Sequence, residues 1–241
     1  MKISLEEMID TGAHFGHQTR RWNPKMEEYI YGVENGVHVF DLTKTKPLLE
    51  SALEFITKSV KEGKVVLLLG TKKQIKDKVA EVAQEVGVPY VNERWLGGTI
   101  SNFGQMLKSV KKMEEMKANM ASGAYDKYTK RERLLIDREI TRLERFFEGI
   151  KTLSKIPDIV FIVDTKREAG AVHEANERKI PVIGIVDTNA DPDLIDYPIP
   201  MNDDAKAAVE YVLNLVKEAI SAGKKISSPK KQAKSVKAKE K

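Results

Sequence analysis

The stretch AHFGHQTRRWNPKM, from Ala13 to Met26, contains residue types that can do three kinds of chemistry. Imidazoles such as His14 and His17 bind metal ions and move protons. Guanidinium groups bind phosphates, and an indole ring stacks on an unpaired base. The stretch is therefore compatible with a metal site, a catalytic loop or a nucleic-acid contact, and the rest of the chain has to distinguish these.

Signals for catalysis are weak elsewhere in the chain. The first long apolar run ends in GTKKQ, Gly70 to Gln74, which has neither P-loop nor G-x-G-x-x-G spacing. Lys72 and Lys73 at a helix start are still candidates for holding one phosphate. There is no cysteine, no G-x-S-x-G elbow and no H-E-x-x-H pair. These absences exclude disulfides and thiolate zinc fingers and leave nucleophilic catalysis without a signature.

Basic residues next to tryptophan favour a nucleic-acid contact. Arginine precedes tryptophan in RRWNPK and again in ERW, and more bases crowd two later helical segments. Each tryptophan can instead be a buried anchor, and for Trp95 this alternative is as strong as the functional one. The predicted RNA contacts are Arg20, Arg21, Trp22, Asn23, Lys25, Lys72, Lys73, Arg94, Lys108, Lys111, Lys112, Lys130, Arg131 and Arg133.

Charge is unevenly distributed along the 241 residues, whose formal net charge is +5. Residues 104–151 have an excess of basic side chains and residues 152–222 an excess of acidic ones, while the last nineteen residues are strongly basic. Between Ile180 and Ala205 there is no Lys or Arg, and such a surface repels a phosphate backbone. It should face a protein, solvent or a cation. Its six acids are Asp187, Asp191, Asp193, Asp196, Asp203 and Asp204.

Two of these acids are candidates for a metal site. Asp187 ends a predicted strand, and ligands of open parallel sheets bind beyond the carboxyl ends of the strands. One histidine with two carboxylates suits zinc or magnesium. The sequence therefore suggests His17, Asp187 and Asp203 as a tentative site for a structural zinc or magnesium ion. The alternative is that Asp187 and Asp203 cap a helix and a turn.

Short apolar runs alternate with helical patterns over most of the chain. After a first helix capped by Ser4, two strands flank Asn35 and Gly36, and a helix begins near Pro47. The runs VVLLLG, PYVN, DIVFIVD and IPVIGIVD then alternate with helices, the last of which covers about 203–222. Aliphatic runs of this kind are typical of parallel strands buried on both faces. We therefore predict an α/β fold with a doubly wound parallel sheet.

The alternation breaks between Phe103 and Leu153. Apolar residues recur there at three- and four-residue steps in two long segments joined by ASGAYDKYT, which predicts an antiparallel helical hairpin. Ordinary helices covering the sheet are the alternative. The predicted organisation is a first α/β part (1–102), a hairpin arm (103–154), a second α/β part (155–222) and a disordered basic tail (223–241).

Four motifs together resemble one family. HFGHQTRRWNPKM, GTKKQ, RWLGGTISNF and PVIGIVDTNADPD followed by PIPMNDDA are similar, in order and spacing, to the S2 family of bacterial small-subunit ribosomal proteins. The resemblance runs from the first helix to about residue 222. The lysine-rich end lies outside it.

The resemblance implies a Rossmann-like (flavodoxin-like) sheet with an inserted coiled-coil hairpin, no catalytic activity and no required cofactor. It also implies a cytoplasmic place in the small ribosomal subunit, on the solvent side between head and body. The implied partners are small-subunit rRNA and neighbouring ribosomal proteins, including the large one with repeated single-strand-binding domains. A membrane and a second copy of the chain are not expected partners. The rival hypotheses are a nucleotide-binding enzyme and an assembly factor that binds RNA transiently.

Overall fold

A five-stranded parallel sheet forms the centre of the computed structural model, which describes residues 3–237, with side chains through residue 226. In chain order the strands are β1 (Phe15–Gln18), β2 (Ile30–Glu34), β3 (Val37–Phe40), β4 (Val66–Leu69), β5 (Tyr90–Val91), β6 (Ile159–Ile162), β7 (Val182–Val186) and β8 (Tyr197–Pro200). The helices are α1 (Leu5–Asp10), α2 (Leu42–Lys61), α3 (Lys76–Val86), α4 (Phe103–Ala121), α5 (Lys130–Phe147), α6 (Ala169–Glu177) and α7 (Lys206–Lys237).

The parallel sheet has the strand order β5-β4-β6-β7-β8. Every residue of β4, β6 and β7 is buried, which explains why these strands are continuous aliphatic runs. The order reverses between β4 and β6, so this is the topological switch point of an open sheet. The predicted strands are confirmed, and the arrangement is consistent with a Rossmann-like fold. Strand β8 was not predicted, because its two prolines weaken the strand signal. Prolines are tolerated there because β8 is an edge strand.

A smaller antiparallel sheet, in the order β1-β3-β2, contains part of the opening stretch. The predicted turn between β2 and β3 is confirmed: Asn35 and Gly36 have φ values of 50° and 77°, as a tight hairpin turn requires. No strand was predicted between Ala13 and Met26, and this was wrong for Phe15–Gln18. Those four residues form β1, because β3 offers them a partner that local sequence does not reveal.

Helix α2 starts earlier than expected, at Leu42, because the Asp41 side chain accepts a hydrogen bond from the Thr43 backbone N–H at 3.1 Å and caps it. Pro47 therefore lies inside the helix rather than at its start.

The two long helical segments predicted after residue 102 are confirmed as α4 and α5. Thr129 and Glu132 have capping-box spacing in the sequence, and the structure has this capping box at the start of α5: the two residues exchange side-chain and backbone hydrogen bonds. The helices contact each other through buried apolar residues and through an ion pair of 2.5 Å between Lys117 and Glu144.

Helix α7 packs along α2 and continues beyond the expected end of the folded region. The sequence analysis predicts a disordered tail from residue 223, whereas the helix in the structure reaches Lys237. Gly223 is still buried against α2, so the packing of α7 on α2 continues past residue 222. The rest of the predicted tail, 238–241, lies outside the described residues. None of the helices described is long and apolar enough to cross a membrane.

The close approach of α7 to α2 depends on the missing side chain of Gly223. A Cβ atom at this position would lie 2.8 Å from both the Thr57 carbonyl oxygen and the Val60 Cβ atom. We therefore expect Gly223→Ala to lower the free energy of unfolding by about 1–3 kcal/mol through overpacking. Urea denaturation measures the change. The matched control is Gly104→Ala in α4, where nothing lies within 4 Å of the new Cβ, and which should stabilise by up to about 1 kcal/mol. Equal effects of the two substitutions would contradict the packing argument.

Candidate nucleic-acid interface and the adjoining ion-pair cluster

Thr188, just after β7, fixes the opening stretch to the carboxyl end of the sheet. Its hydroxyl oxygen accepts a hydrogen bond from the His17 backbone N–H at 2.9 Å. Its carbonyl oxygen accepts another from the Asn23 N–H at 2.7 Å. A Cβ atom on Gly16 would lie 2.6 Å from the Thr188 methyl carbon, so the backbone can approach this closely only at a glycine. The stretch therefore has a fixed position over the strand ends.

The imidazole of His17 is held between two carboxylates. Its Nδ1 lies 2.9 Å from Asp187 Oδ1, and its Nε2 lies 3.5 Å from Asp204 Oδ2. Asp187 is fully buried, and its other oxygen accepts the Asp203 backbone N–H at 3.3 Å. The hydrogen bond to Asp187 raises the pKa of His17 above its ordinary value, although burial opposes the shift. The site thus favours the charged imidazolium, which donates from both nitrogens.

Beside this pair, the ammonium group of Lys72 lies among three carboxylates. Its Nζ is 2.7 Å from Asp203 Oδ1, 2.7 Å from Asp204 Oδ1 and 2.9 Å from Asp164 Oδ2. Burial alone would lower the pKa of Lys72, but these carboxylates raise it above its ordinary value. Burial, together with Asp187 and Asp164, raises the pKa of Asp203 to about 8. We call these six residues the Lys72 cluster: His17, Lys72, Asp164, Asp187, Asp203 and Asp204.

The three predicted metal ligands are neighbours in the structure, but their arrangement does not fit a metal ion. His17 uses both ring nitrogens toward carboxylates, and the Lys72 ammonium binds Asp203 where a cation would bind. Among the residues described, no group of three or more His, Asp or Glu side chains has the geometry of a metal site. The proposed zinc or magnesium site at His17, Asp187 and Asp203 is thus an ion-pair cluster in this structure.

The cluster also corrects one predicted RNA contact. Lys72 was expected to bind phosphate, but its side chain is only 11% exposed and its ammonium group is surrounded by carboxylates of its own chain. It cannot reach a phosphate on another molecule. Its neighbour Lys73 is exposed and has no salt bridge with another described residue, so it stays a candidate.

The remaining predicted contacts in the opening stretch fall into two groups. Arg20 and Arg21 are exposed on a short 3₁₀ turn, Thr19–Arg21, and Arg20 donates only to Gln18, at 3.0 Å. The other three residues have structural partners. The Trp22 ring packs on His38 with centroids 4.9 Å apart, and Asn23 caps the next 3₁₀ turn. Lys25 is bound by Asp191 and Asp193, each at 2.8 Å, because the acidic segment folds back onto it.

The two residues of the second Arg-Trp pair also differ in exposure. Arg94 is exposed, whereas Trp95 is 9% exposed, which confirms the buried-anchor alternative. The indole N–H donates to Glu174 at 3.3 Å. Glu174 also accepts backbone N–H groups of the GGTIS loop, and although burial alone would raise its pKa, these hydrogen bonds lower it. Sequence reasoning missed Glu174, because a single glutamate in a helix has no local signal.

The predicted contacts on α4 and α5 lie at the surface. Lys108, Lys111, Lys112, Lys130 and Arg131 are exposed and form no salt bridge with another described residue. Arg133 is half-buried and pairs with Asp126 at 3.2 Å, so its charge is partly compensated. These helices therefore present more uncompensated positive charge than the ends of the sheet do.

Comparison with known proteins gives consistent results. Residues 8–223 match the model of the family described as ribosomal protein S2. The chain is 43% identical over 222 residues to small ribosomal subunit protein uS2 of Coprothermobacter proteolyticus, covering 92% of this chain and 83% of that protein. It is 44% identical to the protein of the same name from Synechocystis sp., with 92% and 82% covered. For the Rhodococcus erythropolis protein of that name the identity is 45%, with 92% and 78% covered.

Removal of the central ammonium group should destabilise the fold. We expect Lys72→Met to lower the free energy of unfolding by about 3–5 kcal/mol, because it leaves buried carboxylates without their cation. Urea denaturation followed by circular dichroism measures this. The matched control is Lys73→Met, whose exposed side chain has no salt bridge, with an expected change within about 0.5 kcal/mol. A similarly small loss for Lys72→Met would show that the cluster does not stabilise the fold.

The contact between His17 and Asp187 should make stability depend on pH. The folded-state pKa of His17 is raised above 6.5, so the contact contributes fully below pH 6.5 and is lost as pH rises through the raised pKa. The unfolding free energy of the unmodified chain should fall as pH rises above 6.5, and His17→Gln should make this fall smaller. Denaturation at a series of pH values checks this. A pH dependence that His17→Gln leaves unchanged would refute the assignment.

Proposed function

The chain belongs to the ribosomal protein S2 family, and from that premise we propose that it binds RNA and protein through separate surfaces. As a member it is a structural component of the small ribosomal subunit that acts in translation, and it is not an enzyme. In the subunit it binds rRNA and other small-subunit proteins. The proposal concerns which residues make these contacts.

The RNA surface consists of those predicted contacts that are exposed and are not neutralised by the chain's own carboxylates. A protein gains affinity for RNA by replacing the counterions of phosphates, and a cation already bound to carboxylates contributes little to this. The exposed arginines of the opening stretch and the exposed bases of α4 and α5 meet this condition, which is the observation that carries the proposal. The set is Arg20, Arg21, Lys73, Arg94, Lys108, Lys111, Lys112, Lys130 and Arg131.

Helices α4 and α5 would act as an inserted coiled-coil arm. Val110, Met113, Ile140 and Leu143 are buried, while the exposed faces have mostly charged side chains together with Leu134 and Leu135. Double-stranded RNA hides its base edges in a deep, narrow groove and is recognised mostly through phosphates, 2′-hydroxyls and shape. An arm with lysines and arginines spread along its length suits this kind of recognition.

The acidic segment after β7 would face proteins rather than RNA. Asp196 is exposed there and has no salt bridge with another described residue, so its charge repels phosphates. Asp193 and Asp204 are also exposed but pair with Lys25 and Lys72. Apolar side chains are exposed on the small sheet and α1, where Tyr31 is 81% and Ile9 52% exposed. Exposed apolar patches mark protein contacts. We assign one of these contacts to the large ribosomal protein with repeated single-strand-binding domains and expect the chain to act in the cytoplasm.

The RNA surface can be tested with a double charge reversal in the opening stretch. We expect Arg20→Glu with Arg21→Glu to reduce incorporation into small subunits by at least about 10-fold, because two phosphate contacts become repulsive. The measurement is the fraction of tagged protein that sediments with mature subunits in cells that also make the unmodified chain. Thermal unfolding of the purified variant should be unchanged, because both side chains are exposed.

The matched control is Lys58→Glu with Lys61→Glu at the end of α2. Both lysines are exposed, lie outside the proposed surface and have no salt bridge with another described residue. This variant should sediment like the unmodified chain. Equal occupancy of both double variants would refute the RNA role of the opening stretch. Loss of the unmodified chain from mature subunits at high salt would instead indicate a transient assembly factor.

A further inference from the structure

A cleft opens at the carboxyl end of the parallel sheet, beside the topological switch point. It has a volume of about 410 Å³, and its lining includes Thr71 after β4, Arg94 and Trp95 after β5, and Arg167 and Glu168 before α6. Ligands of open α/β sheets bind in this position, because the loops after the strands diverge there. The Lys72 cluster fills the neighbouring part of the same sheet edge with its own side chains, whereas this cleft is open.

Two guanidinium groups line the cleft, and the terminal nitrogens of both have no partner among the described residues. Arg94 is exposed and has no hydrogen bond or ion pair with another described residue. Arg167 is held in place: its Nε donates to the Thr71 hydroxyl oxygen at 3.0 Å, and its backbone N–H donates to Asp164 at 2.7 Å. The two terminal nitrogens of Arg167 have no partner among the described residues, and its side chain is 57% exposed. One arginine is thus pre-oriented and the other is free to close on a ligand.

The acidic side chains of the cleft do not cancel these charges. Glu93 is bound by Lys76 and by Arg145, each at 2.7 Å, and so is already compensated. Glu168 is buried, accepts a hydrogen bond from the Thr71 hydroxyl group and lies 4.0 Å from Arg167 Nε. Burial raises the pKa of Glu168, while the Thr71 hydroxyl group and Arg167 oppose the shift. Even when it is ionised, Glu168 offsets only one of the two arginines. The remaining charge at the cleft is positive, and planar guanidinium groups match phosphate oxygens in pairs.

We propose that this cleft binds one phosphodiester group of the rRNA backbone between Arg94 and Arg167. The inference rests on the proposed function, and it adds Arg167, which no sequence motif indicated. A free nucleotide fits less well, for two reasons. The loops at the cleft have no glycine-rich phosphate cradle, and Trp95, the aromatic residue of the lining, is only 9% exposed and cannot stack on a base. A backbone phosphate needs neither a glycine-rich cradle nor an aromatic platform, because the RNA strand enters and leaves through the open side of the cleft.

The test compares two double variants of equal charge. Arg94→Gln with Arg167→Gln removes both cleft cations; Lys61→Gln with Lys166→Gln removes two exposed cations that do not line the cleft, one of them next to Arg167. Each labelled protein is titrated onto small subunits stripped of this protein, at several KCl concentrations. The cleft variant should bind about 10-fold more weakly. The slope of log K against log salt should become shallower by about 0.7–0.9 per lost phosphate contact, and the control should match the unmodified chain.

The outcomes distinguish a failure of the cleft proposal from a failure of the proposed function. If the unmodified chain binds stripped subunits and both double variants bind equally well, the cleft is not a phosphate site, and the proposed function stands. If the unmodified chain does not bind them at all, the proposed function itself fails. A third outcome is that GMP binds the isolated chain, that the cleft variant no longer binds GMP, and that both proteins bind subunits equally well. In that case the cleft takes a free nucleotide and the inference is overturned. Arg94→Gln alone guards against misfolding, since Arg94 has no described contact to lose, and it should weaken binding in the same direction.

A second measurement does not depend on affinity. The chain has no cysteine, so Lys166→Cys introduces a single thiol beside the cleft for attachment of an iron chelate. Hydroxyl radicals from this position should cut the rRNA backbone in the assembled subunit, whereas the same probe at Lys61→Cys should give no cut at those nucleotides. An absence of cuts from Lys166→Cys, with full occupancy of the subunit, would contradict the inference.

Discussion

The ammonium group of Lys72 holds the functional end of this protein together. The three carboxylates around it come from chain segments that follow β6 and β8, and Lys72 itself follows β4. Because β4 and β6 are neighbours across the switch point and β8 lies at the edge of the sheet, one cation fixes the mutual position of the ends of these three strands. A buried ion pair of this kind adds little net stability over an apolar core, but loss of one partner is expensive. Its contribution is therefore the unique arrangement of the loops that it joins.

The position of the opening stretch depends indirectly on the Lys72 cluster. His17 joins the cluster through Asp187, and the next residue, Thr188, anchors the stretch by its hydroxyl and carbonyl oxygens. The turn with Arg20 and Arg21 is thereby placed at the same edge of the sheet as Arg94 and Arg167. Rigid positioning matters for RNA, because recognition by shape requires that the cations keep their spacing.

The sequence predicts this fold well where the signal is local and poorly where it is not. Aliphatic runs identify β4, β6 and β7, and a capping box locates the start of α5, since both are properties of neighbouring residues. Strands β1 and β8 escape detection, because β1 depends on its partner β3 and β8 contains two prolines.

The same division applies to the site. Residue types correctly single out His17, Asp187 and Asp203 as neighbours, yet the position of Lys72 among the acids depends on contacts across 131 residues of sequence. For that reason a pattern of one histidine and two aspartates suggests a metal where the structure has an ammonium group. Glu174, which organises the GGTIS loop from 76 residues away, likewise has no signature in the sequence.

The chemistry of the two basic residue types accounts for the division of labour at the sheet edge. Lys72 and Lys25 bind carboxylates of the chain there, as Arg145 does with Glu93, whereas Arg20, Arg21 and Arg94 are exposed and have no salt bridge within the described part of the chain. An ammonium group is a compact point charge that can donate to several converging carboxylates, as it does in the Lys72 cluster. A guanidinium group is a planar fork that fits two oxygens of one phosphate and is less strongly hydrated. Lys72 therefore closes the interior of the site, and Arg20, Arg21 and Arg94 remain outside for the ligand.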